Sequence, residues 1–495
     1  MRLTRRTTPW PRWLAVLLSL AVLAGVGWAW RSRGPRTLRV LLLDADLRED
    51  AGLGPREAAA LGTLVKDQLE VTAGASISYT LGIPGTEAWG QFREDALVLR
   101  LAPRREGSRL SLRARWARVG DLRRGDRWTE YDPPPQAPRA ALAAFLKALP
   151  CRAGSREAQR LVPAAPGVFW DLLAAGAGSP AVDYGEARAL LEAGRRAEPD
   201  CPTLHFALGE LEFFHSLQAE VNDPAGISAA EDCLERGLAA WPRHPRGTWL
   251  LARLRTDTGS AREALEILVE ARRAYPRAMP LVIGITYAAR YAGLLDFAAR
   301  AEALTDQLAV DTSHPVRLQV TFLYRGEWDR YERTLWTRPD DLANSTVLML
   351  RGQLELARGR RDRALGLFRE ASAMPRGYAQ FIRLAGVFRA LLEGRTGEAR
   401  EELDALARSR VGLRVPDGEF ILHMAEGYVL LGDHAKAQDL VEKAFYAGFT
   451  CARWYETDPI MAPLRGTARW ASLMQHVKER QAILEARFPP SRWGL

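Results

Sequence analysis

The sequence predicts a mainly α-helical protein: an α-solenoid of about eight helix pairs, preceded by a small α/β domain and an N-terminal transmembrane helix. Three observations predict it. A glycine returns at 259, 293, 326, 359, 394 and 432, intervals of 34, 33, 33, 35 and 38 residues, and five positions after each stand Ala264, Ala298, Tyr331, Ala364, Ala399 and Ala437. A small residue locked to a beat of that length is the mark of stacked helix pairs. Upstream, short apolar runs between residues 37 and 152 read as strands. Ahead of those, Trp13 to Trp30 runs for eighteen residues without a charge. The chain therefore divides into a tail and anchor (1–36), an α/β domain (37–152), repeats (165–450) and a helical cap (451–495).

With 47% hydrophobic and 26% charged residues over 495 positions, the chain suits an ordered protein with more than one core. Its formal charge of +9 points first to an anionic partner. Residues 1–40, however, hold eight arginines and no acid, and 9 − 8 leaves +1 for the rest. A chain-wide nucleic-acid footprint is absent. The uncharged run between Arg12 and Arg31 makes a helix of about 27 Å at about 1.5 Å per residue, close to the thickness of a hydrocarbon core. Trp10 and Trp13 at one end and Trp28 and Trp30 at the other suit the headgroup level. The run is long for a cleaved signal peptide, the alternative, and only Gly27-Trp28-Ala29 offers small residues for cleavage. Both flanks carry four arginines, so the α-amine of the short tail tips the reading to that end inside. Lysine occurs only at Lys66, Lys147, Lys436, Lys443 and Lys478, an arginine bias that reads as a GC-rich bacterial genome. The expectation is a single-pass protein of the bacterial inner membrane, anchored through Trp13 to Trp30, with its bulk in the periplasm.

Residues 38–45, rich in leucine and valine and bounded by Asp44, Asp46 and Asp50, read as a buried strand. A helix over 55–71 follows, with Pro55 in its first turn and Leu61, Leu64, Val65 and Leu69 on one face. A second strand over 75–80 ends before Ile83-Pro84-Gly85. Runs at 96–102 and 110–119 flank Glu106-Gly107 as a hairpin. In the second run Leu110, Leu112, Ala114 and Trp116 alternate with Ser111, Arg113, Arg115 and Ala117, which predicts one buried face and one wet face. The window from Arg100 to Arg127 holds ten arginines against Glu106, Asp121 and Asp126. It reads as a solvated strand face or, alternatively, as an envelope module that contacts anionic lipid through Arg104 to Arg124.

The order strand, helix, strand, hairpin, a further strand at 128–131 and a closing helix at 137–149 resembles the TolB N-terminal-like domain found ahead of tetratricopeptide repeats in bacterial membrane proteins. Its clearest match is the hairpin followed by Arg127-Trp128-Thr129-Glu130-Tyr131-Asp132. Leu43-Asp44-Ala45 stands where that family carries Leu-Pro-Phe. The resemblance implies a mixed sheet with helices on one side, in an accessory role.

From residue 165 strand-like alternation ends. Ile421, Met424, Ala425, Tyr428, Gly432, Ala437, Val441 and Ala444 follow the tetratricopeptide spacing. So do Thr248, Leu251, Ala252, Gly259, Ala264, Leu268, Ala271 and Pro276, and again Leu348, Gly352, Gly359, Ala364, Phe368, Ala371 and Pro375. Weaker units carry Ala187, Leu191, Gly194 and Pro199, then Ala230, Leu234, Gly237 and Pro242, the latter with an inserted loop at 222–226. The units near Gly293 and Gly326 are degenerate. This stretch resembles tetratricopeptide proteins over more than half the chain. The resemblance implies a superhelix whose concave face takes a protein or peptide partner. Trp454, Asp458-Pro459, Pro463-Leu464-Arg465, Trp470 and a helix over 468–488 read as the cap that shields the last apolar face.

Chemistry is scarce. The chain has no G-x-x-x-x-G-K-[ST], H-E-x-x-H, G-x-S-x-G or strand-borne G-x-G-x-x-G. Its seven histidines are scattered, and His205, His215, His423 and His434 read as structural. Cys151, Cys201, Cys233 and Cys451 form no C-x-x-C pair and read as buried small hydrophobes; the alternative is a disulfide between Cys201 and Cys233 in an oxidising periplasm, if adjacent helices bring them close. Asp44 and Asp46 superficially resemble the opening motif of haloacid-dehalogenase-like phosphatases. A metal-dependent phosphohydrolase built on that pair is the rival reading, but that family needs a second acidic pair within the same domain, and the downstream Asp340-Asp341 falls within the repeats. No catalytic, cofactor-binding or metal residue is assigned. The expectation is a non-enzymatic scaffold, with its partner sought where the array is irregular: the loop before Ala230, Tyr331, and the long interval before Gly432.

Overall fold

A computed structural model describes residues 39–43, 51–80, 89, 92–125, 128–150, 160–176, 183–218, 224–309, 320–335, 345–374 and 379–493. The predicted transmembrane run Trp13 to Trp30, Asp44, Asp46 and Asp340-Asp341 lie outside these residues. Five strands form one mixed sheet in the order β2-β1-β3-β4-β5. They are β1 (Arg39–Leu43), β2 (Ser76–Thr80), β3 (Leu97–Glu106), β4 (Arg109–Arg118) and β5 (Thr129–Tyr131). β1 runs parallel to both neighbours, and β3, β4 and β5 are antiparallel. Gly107, at φ +60, makes the tight turn that β3 and β4 share. Pro103 lies within β3, paired with Leu112 of β4 and beyond the last described β1 pair, Leu43 with Arg100.

Helices α1 (Pro55–Ala73), α3 (Pro138–Ala148) and α4 (Pro166–Ala175) cover one sheet face, while α2 (Val119–Arg123) turns the chain after β4. Leu99, Leu101, Leu110 and Leu112 pack on Leu61, Val65, Phe145, Phe169 and Leu173 in a single core. The first helix of the repeats is thus part of the sheet's own core. The opposite face is not simply wet. Leu41, Leu43 and Val98 are closed over by Trp89, Phe92 and Val119, and Ser111 is buried while donating to Pro133 O at 2.8 Å. Alternation along β4 alone does not reveal this, because the covering residues come from loops.

Eight helix pairs follow among the described residues: α4 with α5 (Tyr184–Ala197), α6 (Pro202–Gln218) with α7 (Pro224–Ala240), α8 (Pro245–Asp257) with α9 (Ala261–Ala274), α10 (Met279–Tyr291) with α11 (Leu295–Leu308), α12 (Val320–Tyr324) with α13 (Trp328–Leu335), α14 (Ser345–Ala357) with α15 (Arg361–Ser372), α16 (Ala379–Leu392) with α17 (Thr396–Ser409), and α18 (Gly418–Leu430) with α19 (His434–Tyr446). All six beat glycines lie at φ between +74 and +93, the left-handed region that glycine enters without steric cost. Each gives the same turn. The residue after it donates to a carbonyl five positions back, as in Ser260 N to Arg255 O at 2.7 Å and Arg360 N to Glu355 O at 2.8 Å. Ala264, Ala298, Tyr331, Ala364, Ala399 and Ala437 are all fully buried, because this slot faces the partner helix of the pair. At Gly352 a Cβ would fall 2.5 Å from the Phe368 ring, so the first and second helices cross too closely for any side chain. Two expectations change. The pair at Gly293 is full length, its degeneracy confined to residue identity. The residues 224–226 read as inserted loop are the first turn of α7.

The array folds back on itself. After α19 the chain forms α20 (Ala452–Thr457) and α21 (Ala468–Arg487), which seat on the turns of the third, fourth and fifth pairs. Thr450 N donates to Tyr291 O at 2.8 Å and Arg453 Nε to Arg325 O at 3.0 Å, while Arg487 pairs with Glu266 at 3.2 Å. Gly448 and Gly259 meet backbone to backbone. Residues 410–417 form a second seam. There Val415 is buried with Phe213, Ile227 and Leu254, and Arg414 reaches Ser228 and Glu231. The sheet is tied to the array as well: Arg39, Ser76 and Arg93 donate to Gln307, Leu308 and Ala309 carbonyls at 2.9, 2.8 and 3.0 Å. Those are orphan acceptors at the end of α11, at the negative end of its dipole.

Two substitutions separate turn strain from closure. Gly359 has φ +74 and open space around it, so Gly359→Ala costs about 1 kcal/mol. Gly448→Ala places a Cβ 2.5 Å from Gly259 Cα and costs at least about twice that, since backbone must move. Chemical denaturation of the two variants checks the order.

Candidate functional site

The inward faces of α8, α10, α14, α16 and α18 surround a chamber of about 240 Å³. Its wall is a set of tyrosine, arginine and carboxylate groups that lock distant pairs together. Asp417 sits at φ +54, a backbone state rare outside glycine and asparagine. There its carboxylate caps α18 by accepting from Phe420 N at 3.1 Å, and accepts from Tyr291 Oη at 2.6 Å. Glu419, two residues on in the first turn of α18, pairs with Arg290 at 2.9 Å and accepts from Tyr324 Oη. Asp257 accepts from Tyr287 Oη at 2.5 Å. Arg253 lies 5.6 Å from the Phe214 ring and 3.8 Å from Asp257.

Burial shapes the charges. It raises the Asp257 carboxyl to about 7 from 3.8, with Asp417 and Glu419 adding repulsion against the pull of Arg253. Burial would depress the Arg290 guanidinium, but Glu419 and the surrounding tyrosines outweigh it and hold the charge. Tyr287, Tyr291 and Tyr324 are pushed well above the usual phenol range, first by burial and then by the carboxylates beside them. All three stay protonated and donate to carboxylates. Deeper in, His423 Nδ1 lies 3.1 Å from both Gln353 Nε2 and Glu426 Oε1. Burial opposes protonation of His423, and Glu426 overcomes it. Burial and Glu426 together push Asp458 well above the carboxylate range.

Two of the irregular positions chosen from the sequence are engaged within the chain itself. Tyr331 is fully buried within the α12–α13 pair. The long interval before Gly432 is the 410–417 seam. His205 is buried with Nε2 at 2.7 Å from Pro199 O, and His215 stacks on Tyr184, so both are structural. Cys201, Cys233 and Cys451 are free and buried, which closes the disulfide alternative for the first two. Among the described residues no group of three histidine, cysteine or acidic side chains is placed to hold a metal, and no described helix is long and apolar enough to cross a membrane. The arginine window is largely engaged internally. Arg104 pairs with Glu106 and Arg124 with Asp121, Arg105 lies over Trp170, Arg118 donates to Asp95 O, and Arg123 donates to Trp89 O and Phe92 O.

Tyr287, Arg290, Tyr291, Asp417 and Glu419 were not singled out from the sequence. The one signal was the Asp417-Gly418 step inside the longest interval, a helix start preceded by extra residues.

No family model matches the chain, and no curated protein matches it. Among solved structures, yeast Tom70 is similar at 14% identity over 65% of this chain and 66% of that chain, with a TM-score of 0.35. The chain thus spans just under two thirds of Tom70. The P58(IPK) TPR domain is similar at 11% identity over 61% of this chain and 94% of that chain, with a TM-score of 0.18. Likenesses at that level add nothing to what the helix pairs themselves show.

Two outcomes follow from the wall chemistry. Removing Glu419 leaves the Arg290 guanidinium buried without its counter-charge, so Glu419→Ala destabilises by about 3–5 kcal/mol, whereas Tyr324→Phe costs about 1 kcal/mol; urea unfolding of the two variants measures both. Asp257 keeps its proton to about pH 7 in the fold and to 3.8 when unfolded. Its raised carboxyl therefore favours the fold fully below about pH 4, and that advantage is lost as pH rises to about 7. Asp257→Asn removes the dependence: relative to wild type its Tm rises by several degrees between pH 5 and pH 8, read by calorimetry.

Proposed function

We propose that this chain is a membrane-anchored, non-enzymatic scaffold that binds a protein partner through its helical repeats. The proposal keeps the division into anchor (1–36), α/β domain (37–152), repeats (165–450) and cap (451–495), with Trp13 to Trp30 in the bacterial inner membrane and the bulk in the periplasm. The observation that carries the reading is the array itself: eight helix pairs among the described residues, the third to the eighth sharing one core with the cap, whose inward face opens beside α16. There Phe381 and Arg383 are half-exposed at the rim of the chamber. A chamber of about 240 Å³ is smaller than typical small-molecule pockets of about 300–1,000 Å³. The concave side in this reading takes a projecting side chain or chain end of the partner, with the rim of α16 supplying the wider contact. The first domain supports the array by capping α11 and sharing its core with α4.

The test is quantitative co-purification of the tagged, full-length protein from native membranes, wild type against Phe381→Ala/Arg383→Glu. The reading expects a stoichiometric protein partner that the double variant loses by at least about tenfold while its Tm stays within a few degrees of wild type. A partner captured equally by both forms moves the contact off the concave rim. No stoichiometric partner at all, or release of the full-length chain by carbonate washing, defeats the scaffold and the anchor respectively.

A further inference from the structure

We propose that the outer face of the sheet binds a single phosphate group, held by Arg100 on β3 and by Arg113 and Arg115 on β4. The register of the two strands sets Arg100 directly opposite Arg115 and Ala102 opposite Arg113. All three arginines therefore rise from one face, while Leu99, Leu101, Leu112 and Ala114 face the core. Like charges directly opposite across a ladder repel, and an anion between them turns that repulsion into attraction. The small side chain of Ala102 leaves a notch of about 130 Å³ walled by the three arginines, room for one tetrahedral oxyanion.

Arg113 and Arg115 differ from the rest of the arginine-rich window in what they touch. Among the described residues no carboxylate forms an ion pair with Arg113 or Arg115. Glu130, in register with Arg115 on β5, and Asp132 also line the notch, without pairing with either. Arg113 is held through its Nε, which donates to Ala102 O at 3.2 Å, and its two terminal nitrogens have no partner among the described residues. Arg115 is held by the Trp128 ring, 5.0 Å from its guanidinium carbon. Each stem is fixed, so little side-chain freedom is lost when a ligand arrives. The planar fork of a guanidinium matches two phosphate oxygens at once. A phosphomonoester and the phosphodiester of a lipid headgroup share this chemistry.

The test uses the full-length protein in a neutral detergent, titrated with inorganic phosphate by calorimetry and thermal shift at constant ionic strength in chloride. A second arm uses the soluble headgroup diester glycerophosphoglycerol. The site predicts saturable phosphate binding at one equivalent, weakened at least tenfold in Arg113→Gln and in Arg115→Gln. It stays unchanged in Arg109→Gln, an exposed arginine at the hairpin end outside the notch. Binding of phosphate but not of the diester assigns a soluble phosphate compound, and diester binding at least as tight assigns a lipid headgroup. Binding of neither, or binding that the Arg113→Gln/Arg115→Gln double variant retains in full, overturns the proposal.

Discussion

The structure depends on a pair of acids at the head of one helix. Asp417 and Glu419 start α18, and three groups from pairs far upstream grip them: Tyr291, Arg290 and Tyr324. A buried carboxylate is costly unless paired and hydrogen-bonded. These two are both, which makes the eighth pair energetically inseparable from the fourth and fifth. Without that grip the array would be an open superhelix with a wide groove. With it, the concave side narrows to a small chamber, and the cap has somewhere specific to dock.

Closure also explains why the array departs from its own repeat. The interval before Gly432 is longer than the others because residues 410–417 must cross from α17 to α18 while burying Val415 against α6, α7 and α8. Asp417 accepts a strained backbone at the end of that crossing, a conformation retained because the carboxylate serves two donors at once. Gly448 and Gly259 are small for the same reason, since two turns meet there. The cap does more than shield a terminal face. Phe488 packs edge-on to Phe297, so α21 spans the seam.

The parts of this fold legible in the sequence are those set by neighbours close along the chain. The glycine beat and the alanine slot five residues later depend on local turn geometry and on the crossing inside one pair; the glycine recurs from the third unit to the eighth, and alanine follows it in all of those but the one with Tyr331. The β3–β4 hairpin is read from its alternation and its Gly107 turn. What escaped was set by groups far apart in sequence. Tyr291 and Asp417 are 126 residues apart, and no periodicity links them. The outer-face cover over Val98 comes from Trp89 and Phe92, in a stretch without regular pattern. The union of α4 with the sheet core was hidden because a helix that serves two cores looks the same as one that serves one. Of the candidate site, only its place on first-helix faces was foreseeable.

The central claim is that the array is closed, with the cap seated on the turns of the early pairs. Spin labels at Glu266→Cys and Arg487→Cys, whose native side chains pair at 3.2 Å, test it by pulsed electron–electron distance measurement on the full-length protein. Closure predicts one short, narrow distance that lengthens and broadens when Glu419→Ala is added. A long or broad distribution in the otherwise native chain would contradict it.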